Sequence, residues 1–199
     1  MRIGVLSEKY EGGGAATVST GEGDSGGVSY GTYQLATNTG SVAAFVEWLL
    51  QRSDFGRDYG NVLNRWEPGS REFSAEWIAL AETDPVGFGN LQDEYVKPRY
   101  YDAAVIEMQK VIFIDEGDIP GAVKCVIFSN AIQHGVYWAG RLVGESYDSN
   151  IERWIRNVYN TKLTDLSWSD GAPSLREGLF NRWRNERDDA IALLNGTFA

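Results

Sequence analysis

Lys9-Tyr10-Glu11-Gly12-Gly13-Gly14, followed by Thr20-Gly21-Glu22-Gly23-Asp24-Ser25-Gly26-Gly27-Val28-Ser29-Tyr30-Gly31-Thr32-Tyr33-Gln34, carries most of what can be read from this 199-residue chain. Ile3, Leu6 and Tyr10 recur at helical spacing, which predicts a short helix over residues 3–11. The glycine run then stops it, because glycine loses the most backbone freedom on entering a helix. From 12 to 41 glycine mixes with Ser, Thr and Asn, while Val28, Tyr30 and Thr32 alternate as a strand does. The segment reads as turns and short strands. A glycine-rich stretch of this length inside a compact domain is usually a functional loop or a small sheet.

Its chemistry is suggestive. One carboxylate, Glu11, ends a helix; another, Asp24, sits in a glycine-rich turn thirteen positions later. Glycosidic cleavage needs such a pair: one group donates a proton to the leaving oxygen, and the other activates water or stabilises the cationic centre. Glu8, one turn before Glu11, and Glu22, beside Asp24, are alternative members of the pair. Only Glu11 abuts the glycine break. To act near neutral pH the acid must hold its proton, so its carboxyl needs apolar surroundings while the base stays solvated and charged. A carboxyl separation of roughly 6.5–9.5 Å would leave room for a water and predict inversion at the anomeric carbon.

The rest of the chain is helical by pattern. Ser41 is expected to cap 42–51, Ser74 to cap 75–82, and Asp84-Pro85 to open a helix over 85–111 that Pro98 divides. Gly121 to His134 is apolar nearly all round and predicts a buried central helix. Residues 147–159 and 175–194 complete the set. Nothing marks a linker or repeat, so 1–199 reads as a single domain, α+β and mainly α, with a small glycine-rich β region after the first helix.

Composition bounds the function. With 43% hydrophobic residues, 7 Trp, 10 Tyr and 8 Phe the chain has ample core and is not disordered. A net charge of −10 without a basic run excludes phosphate tracking, so no nucleic-acid partner is expected. One cysteine, Cys125, and one histidine, His134, cannot build a His/Cys zinc site; no metal and no cofactor are expected. Asp115, Glu116 and Asp118 read as a solvated acidic turn. His134 and Cys125 read as core residues, and Arg182, Arg184 and Arg187 with Glu186 as an ion-paired helix face. The seven tryptophans read mostly as core, with one or two free to stack on sugars. No stretch nears the roughly 18 apolar residues of a membrane span, and Ser7-Glu8-Lys9 interrupts any secretory core. The expectation is a monomer made in the cytoplasm without a signal peptide and without membrane insertion.

A helix ending in Lys-Tyr-Glu-Gly, followed by Ser-Tyr-Gly-Thr-Tyr-Gln, resembles the lysozyme superfamily, and Gly23 to Gly31 is similar to the Gly-Asp-x-x-Gly-x-Ser pattern of its chitosanases. Ser129 to Gly135 and Gly178 to Arg187 resemble the buried and closing helices of phage-type lysozymes. The resemblance implies a single lysozyme-like catalytic domain over 1–199 that needs no cofactor. It implies Glu11 as acid, Asp24 as base and Ser29 as the hydroxyl orienting the water, with Tyr30, Tyr33 and Gln34 contacting substrate. The implied activity is that of a muramidase cleaving the β-1,4 MurNAc–GlcNAc bond, with peptidoglycan glycan strands as partner and the bacterial cell wall as its place of action. A phage endolysin is the expected context. A chitosanase, a lytic transglycosylase and a non-catalytic glycan-binding phage protein are the alternatives.

Overall fold

The computed structural model describes residues 2–10, 13–19, 27–169 and 173–198. In chain order these form α1 (Val5–Tyr10), β1 (Val18–Ser19), β2 (Ser29–Tyr30), β3 (Leu35–Ala36), α2 (Ser41–Leu50), α3 (Gly56–Leu63), α4 (Arg71–Thr83) and α5 (Pro85–Lys97). There follow α6 (Ala103–Gln109), α7 (Gly121–His134), α8 (Val136–Glu145), α9 (Ile151–Thr164) and α10 (Arg176–Asn195). The fold is α+β and mainly α, as expected. Two compact units emerge, Glu11–Val96 and the pairing of Met1–Tyr10 with Lys97–Ala199.

The first unit holds the sheet, antiparallel in the order β1-β2-β3. Its strands are too short to stand alone and depend on an aromatic core. Tyr30 meets Phe73 edge to face at 5.0 Å, Trp77 meets Phe88 at 4.9 Å, and Phe45 lies 5.6 Å from Trp77. All five side chains are fully buried. Burial of each stabilises by about 1.5–3 kcal/mol, and each aromatic pair adds about 0.5–1.5.

Two caps differ from expectation. Ser41 does not cap α2; its hydroxyl turns back to accept the Ala36 amide at 2.8 Å, and Gly40 at φ +73° occupies the cap position. Ser70, not Ser74, caps α4 by accepting from the Phe73 amide at 3.1 Å. Ser74 sits one turn inside, where its hydroxyl donates to the Ser70 carbonyl and meets the Tyr30 hydroxyl. Pro98 does divide the long helix. Proline lacks the amide that would continue the ladder, and Pro98–Asp102 forms a π-helical turn before α6.

The second unit is built round α7, buried on every side as its sequence implied and packed by α1, α8, α9 and α10. Its buried face includes polar groups. Lys162 is fully buried, donating to Asn130 Oδ1 at 2.8 Å and Gln133 Oε1 at 2.9 Å, with its ammonium 4.7 Å from the Trp183 ring centre. Gln133 Oε1 also accepts from the Trp183 indole at 3.1 Å. Glu186, expected on an ion-paired helix face, is fully buried because it turns inward with Trp183 and Ala190; it accepts from the Ser129 hydroxyl. Cys125 is core, and Asp115, Glu116 and Asp118 form an exposed turn.

His134 stacks edge-on against Trp168 at 5.0 Å, with its Nε2 buried and without a hydrogen-bond partner among the described residues. Burial, then the Lys162 and Arg182 charges, push its pKa down to about 3. An unfolded histidine titrates near roughly 6.5, so on acidification the unfolded chain takes up this proton first. The contribution is complete above pH ~6.5 and is lost as pH falls through the window down to about 3. His134→Phe is therefore expected to flatten the fall in melting temperature across that window, measured by calorimetry against the parent. Lys162→Met is expected to cost about 1–3 kcal/mol in urea denaturation, since Asn130 Oδ1 loses its Lys162 donor whereas Gln133 keeps that from Trp183.

Candidate functional site

The described part of the site lies on the strand–turn segment of the sheet-bearing unit. Ser29 sits on the middle strand, opposite Ser19 on one side and Ala36 on the other, and is 6% exposed. Tyr30 follows, opposite Val18 and Leu35. The structure puts its side chain in the core: the hydroxyl accepts from the Gly69 amide at 3.1 Å and shares a hydrogen bond with Ser74 Oγ at 2.9 Å. Its contribution there is to brace the strand.

The chain then turns sharply. Gly31 has φ +71°, and a Cβ there would lie 2.2 Å from Gln92 Oε1, so only glycine fits. Tyr33 donates its hydroxyl to Asp93 Oδ1 at 2.7 Å, anchoring the turn to α5. Gln34 is exposed, and its Nε2 donates to the Gly31 carbonyl at 2.9 Å. It also adopts φ +51°, a left-handed conformation that costs a residue with a Cβ about 1–2 kcal/mol. Strain of this kind gathers where a backbone must present a group in one set direction.

Glu11 and Asp24, the expected acid and base, and the alternative Glu22 lie outside the described residues. The segments flanking residues 20–26 are described and tightly held. Gln92, fully buried on α5, accepts from the Thr32 amide at 3.0 Å and donates to the Ala15 carbonyl at 3.1 Å. The Trp77 indole donates to that same carbonyl at 2.8 Å. Farther along, Thr37 accepts from the Val28 amide at 3.1 Å. Sequence reading missed Gln92, Asp93 and Trp77 as supports of the site. The available signal was a Gln-Asp pair between apolar positions of a helix, where surface residues would otherwise be expected.

In the helical unit, the end of α1 is anchored from α10. The Tyr10 hydroxyl donates to Asp189, Lys9 pairs with Asp189 at 2.8 Å, and the Arg182 guanidinium lies 5.8 Å from the Tyr10 ring centre. Burial and the Asp189 carboxylate push the Tyr10 phenol well up, so it stays a donor. Glu8, the alternative acid, is engaged by Arg2 Nη1 at 2.6 Å. Among the described residues, no helix is long and apolar enough to cross a membrane, and no His, Cys, Asp and Glu side chains gather as a metal would need.

Comparison with known proteins supplies the family. Residues 3–187 match the family described as type VI secretion system spike protein VgrG3-like, C-terminal. Over 135 residues, 67% of this chain, the sequence is 34% identical to the type VI secretion system spike protein VgrG3 of Vibrio cholerae serotype O1, strain ATCC 39315. That match spans 12% of the longer protein. The expectation of a phage endolysin, a free bacteriolytic enzyme, is thereby overturned. It was an inference from architecture, whereas the motifs behind the resemblance are local and do not specify a biological context. The chain belongs to the VgrG3-like C-terminal family of type VI secretion system spike proteins.

Proposed function

We propose that this chain is a cell-wall glycan hydrolase module of a type VI spike, a muramidase that cleaves the β-1,4 bond between MurNAc and GlcNAc. In this reading the secretion system delivers the module, and the bacterial cell wall is where it acts. Two carboxylates, those the sequence motifs single out, perform the reaction in this reading. Glu11 protonates the leaving glycosidic oxygen, and Asp24 takes a proton from the attacking water, which Ser29 helps to orient. Tyr33 and Gln34 offer hydroxyl and amide groups to the sugar.

The observation that supports this most is the strained turn from Gly31 to Gln34, pinned by Gln92 and Asp93. Exposed Gln34 is held in a costly conformation in the turn that follows the strand carrying Ser29, which is hard to explain as packing alone. A second reading, a chitosanase, draws on a different observation. A net charge of −10 suits a cationic glucosamine polymer better than an anionic wall.

Purified sacculi and chitosan, digested separately and read by mass spectrometry, distinguish these readings. Reducing MurNAc ends are the expected product; cut chitosan with intact sacculi would favour the second reading, and anhydro ends a transglycosylase. Glu11→Gln is expected to lower the rate roughly 10²–10⁴-fold with an unchanged circular dichroism spectrum. Asp24→Asn should also abolish hydrolysis; full activity in that variant would remove Asp24 as the base.

A further inference from the structure

The helical unit carries a groove of about 490 Å³ at the meeting of α7, α8, α9 and the short turn Leu166–Ser169. Its wall is aromatic: Trp168 meets His134 at 5.0 Å on one side and Trp138 at 6.3 Å on the other, both edge to face. Trp138 is 57% exposed, although Trp77, Trp154 and Trp183 are all buried. An indole left this open forgoes on the order of 1–2 kcal/mol of burial. Polar groups of both kinds stand at the rim. Arg141 and Glu145 pair across one turn of α8. Asp165 accepts from the Ser167 amide at 3.0 Å, and hydrogen bonds from Ser167 hold its carboxyl below the usual range. An ionised carboxylate has about four lone-pair sites, so with these bonds made it keeps acceptor capacity for a ligand.

We propose that this groove is a binding subsite for an N-acetylhexosamine unit of a cell-wall glycan strand, with Trp138 as its stacking platform. This rests on the glycan-hydrolase reading above. A pyranose ring has an apolar C–H face and a rim of hydroxyls. It therefore needs a flat aromatic surface flanked by donors and acceptors. Trp138 supplies the surface, Arg141 a donor, and Glu145 and Asp165 acceptors. The acetamido group adds an N–H for a carboxylate, a carbonyl for Arg141, and a methyl for the apolar corner between His134 and Trp168. The volume falls within the roughly 300–1,000 Å³ of small-ligand sites. A protein partner would call for a broader apolar centre. Here the apolar surface is a narrow aromatic strip, with charged Arg141, Glu145 and Asp165 among the residues that line the groove. A second hold on the polymer makes each later encounter intramolecular, raising the effective substrate concentration.

The test uses the full chain carrying Glu11→Gln, so that bound sugar is not consumed. Indole N–H signals of Trp138 and Trp168, assigned by nuclear magnetic resonance through single Trp→Phe variants, are followed during titration with tetra-N-acetylchitotetraose. Both are expected to move saturably. Adding Trp138→Ala should weaken the dissociation constant read at Trp168 by about three- to tenfold, while Trp138→Phe retains most of the affinity. Unmoved indole signals, or an unchanged constant in Trp138→Ala, would overturn the subsite and leave the groove to another class of partner. An equal response to cellotetraose would overturn the acetamido assignment. Hydrolysis by the parent chain is scored separately. Inactivity with Trp138-dependent binding would sink the muramidase reading and leave the subsite standing, whereas activity with silent indoles would do the reverse.

Discussion

The carboxamide of Gln92 holds both ends of the glycine-rich segment in the sheet-bearing unit. Its oxygen takes the Thr32 amide, and its nitrogen gives to the Ala15 carbonyl, in surroundings from which water is excluded. A buried amide left unpaired costs about 1–3 kcal/mol, so the Thr32 contact is needed, while the Ala15 carbonyl is held by two donors. Other features follow from this one. The absence of a side chain at position 31 leaves room for the carboxamide, the Trp77 indole shares the Ala15 carbonyl, and the turn that presents Gln34 keeps its shape because Thr32 cannot move.

Where pattern and packing agree, the sequence was legible. The helix Gly121–His134 was readable because a buried helix is apolar on all its faces, and the proline break at 98 because a missing amide acts locally. α3 and α8 were not. Glycine reads as a breaker, yet Gly140 lies where a Cβ would come within 2.4 Å of the Ala104 carbonyl, so its job is to let α8 press against α6. That role belongs to the neighbour and leaves no mark on local pattern. The cap of α4 was misplaced by one turn for a related reason: Ser70 and Ser74 look alike until Tyr30 claims the second hydroxyl.

For the site, types of residue were legible and supports were not. Tyr33 and Gln34 could be singled out from their motif, but the partner that anchors Tyr33, Asp93, lies sixty positions away in sequence and no spacing rule links them. Tyr30 shows the opposite limit, since a tyrosine next to such residues can equally face the core. The family was out of reach for another reason. Short chemical motifs travel between proteins of different context, whereas a match over residues 3–187 samples the whole module.

The bond from Tyr10 to Asp189 joins residues 179 positions apart, and both belong to a unit interrupted by residues 11–96. On a ribosome that emits the chain from its first residue, α1 emerges long before its partner helix exists. The inserted segment, whose contacts are nearer in sequence, can settle first; α1 must wait. Closure of so distant a contact is slow, because loop entropy is lost before the contact rewards it. Until α10 emerges, the parts of α1 and α7 that it covers stay open, and the nascent protein is most exposed to aggregation or to a chaperone in that interval.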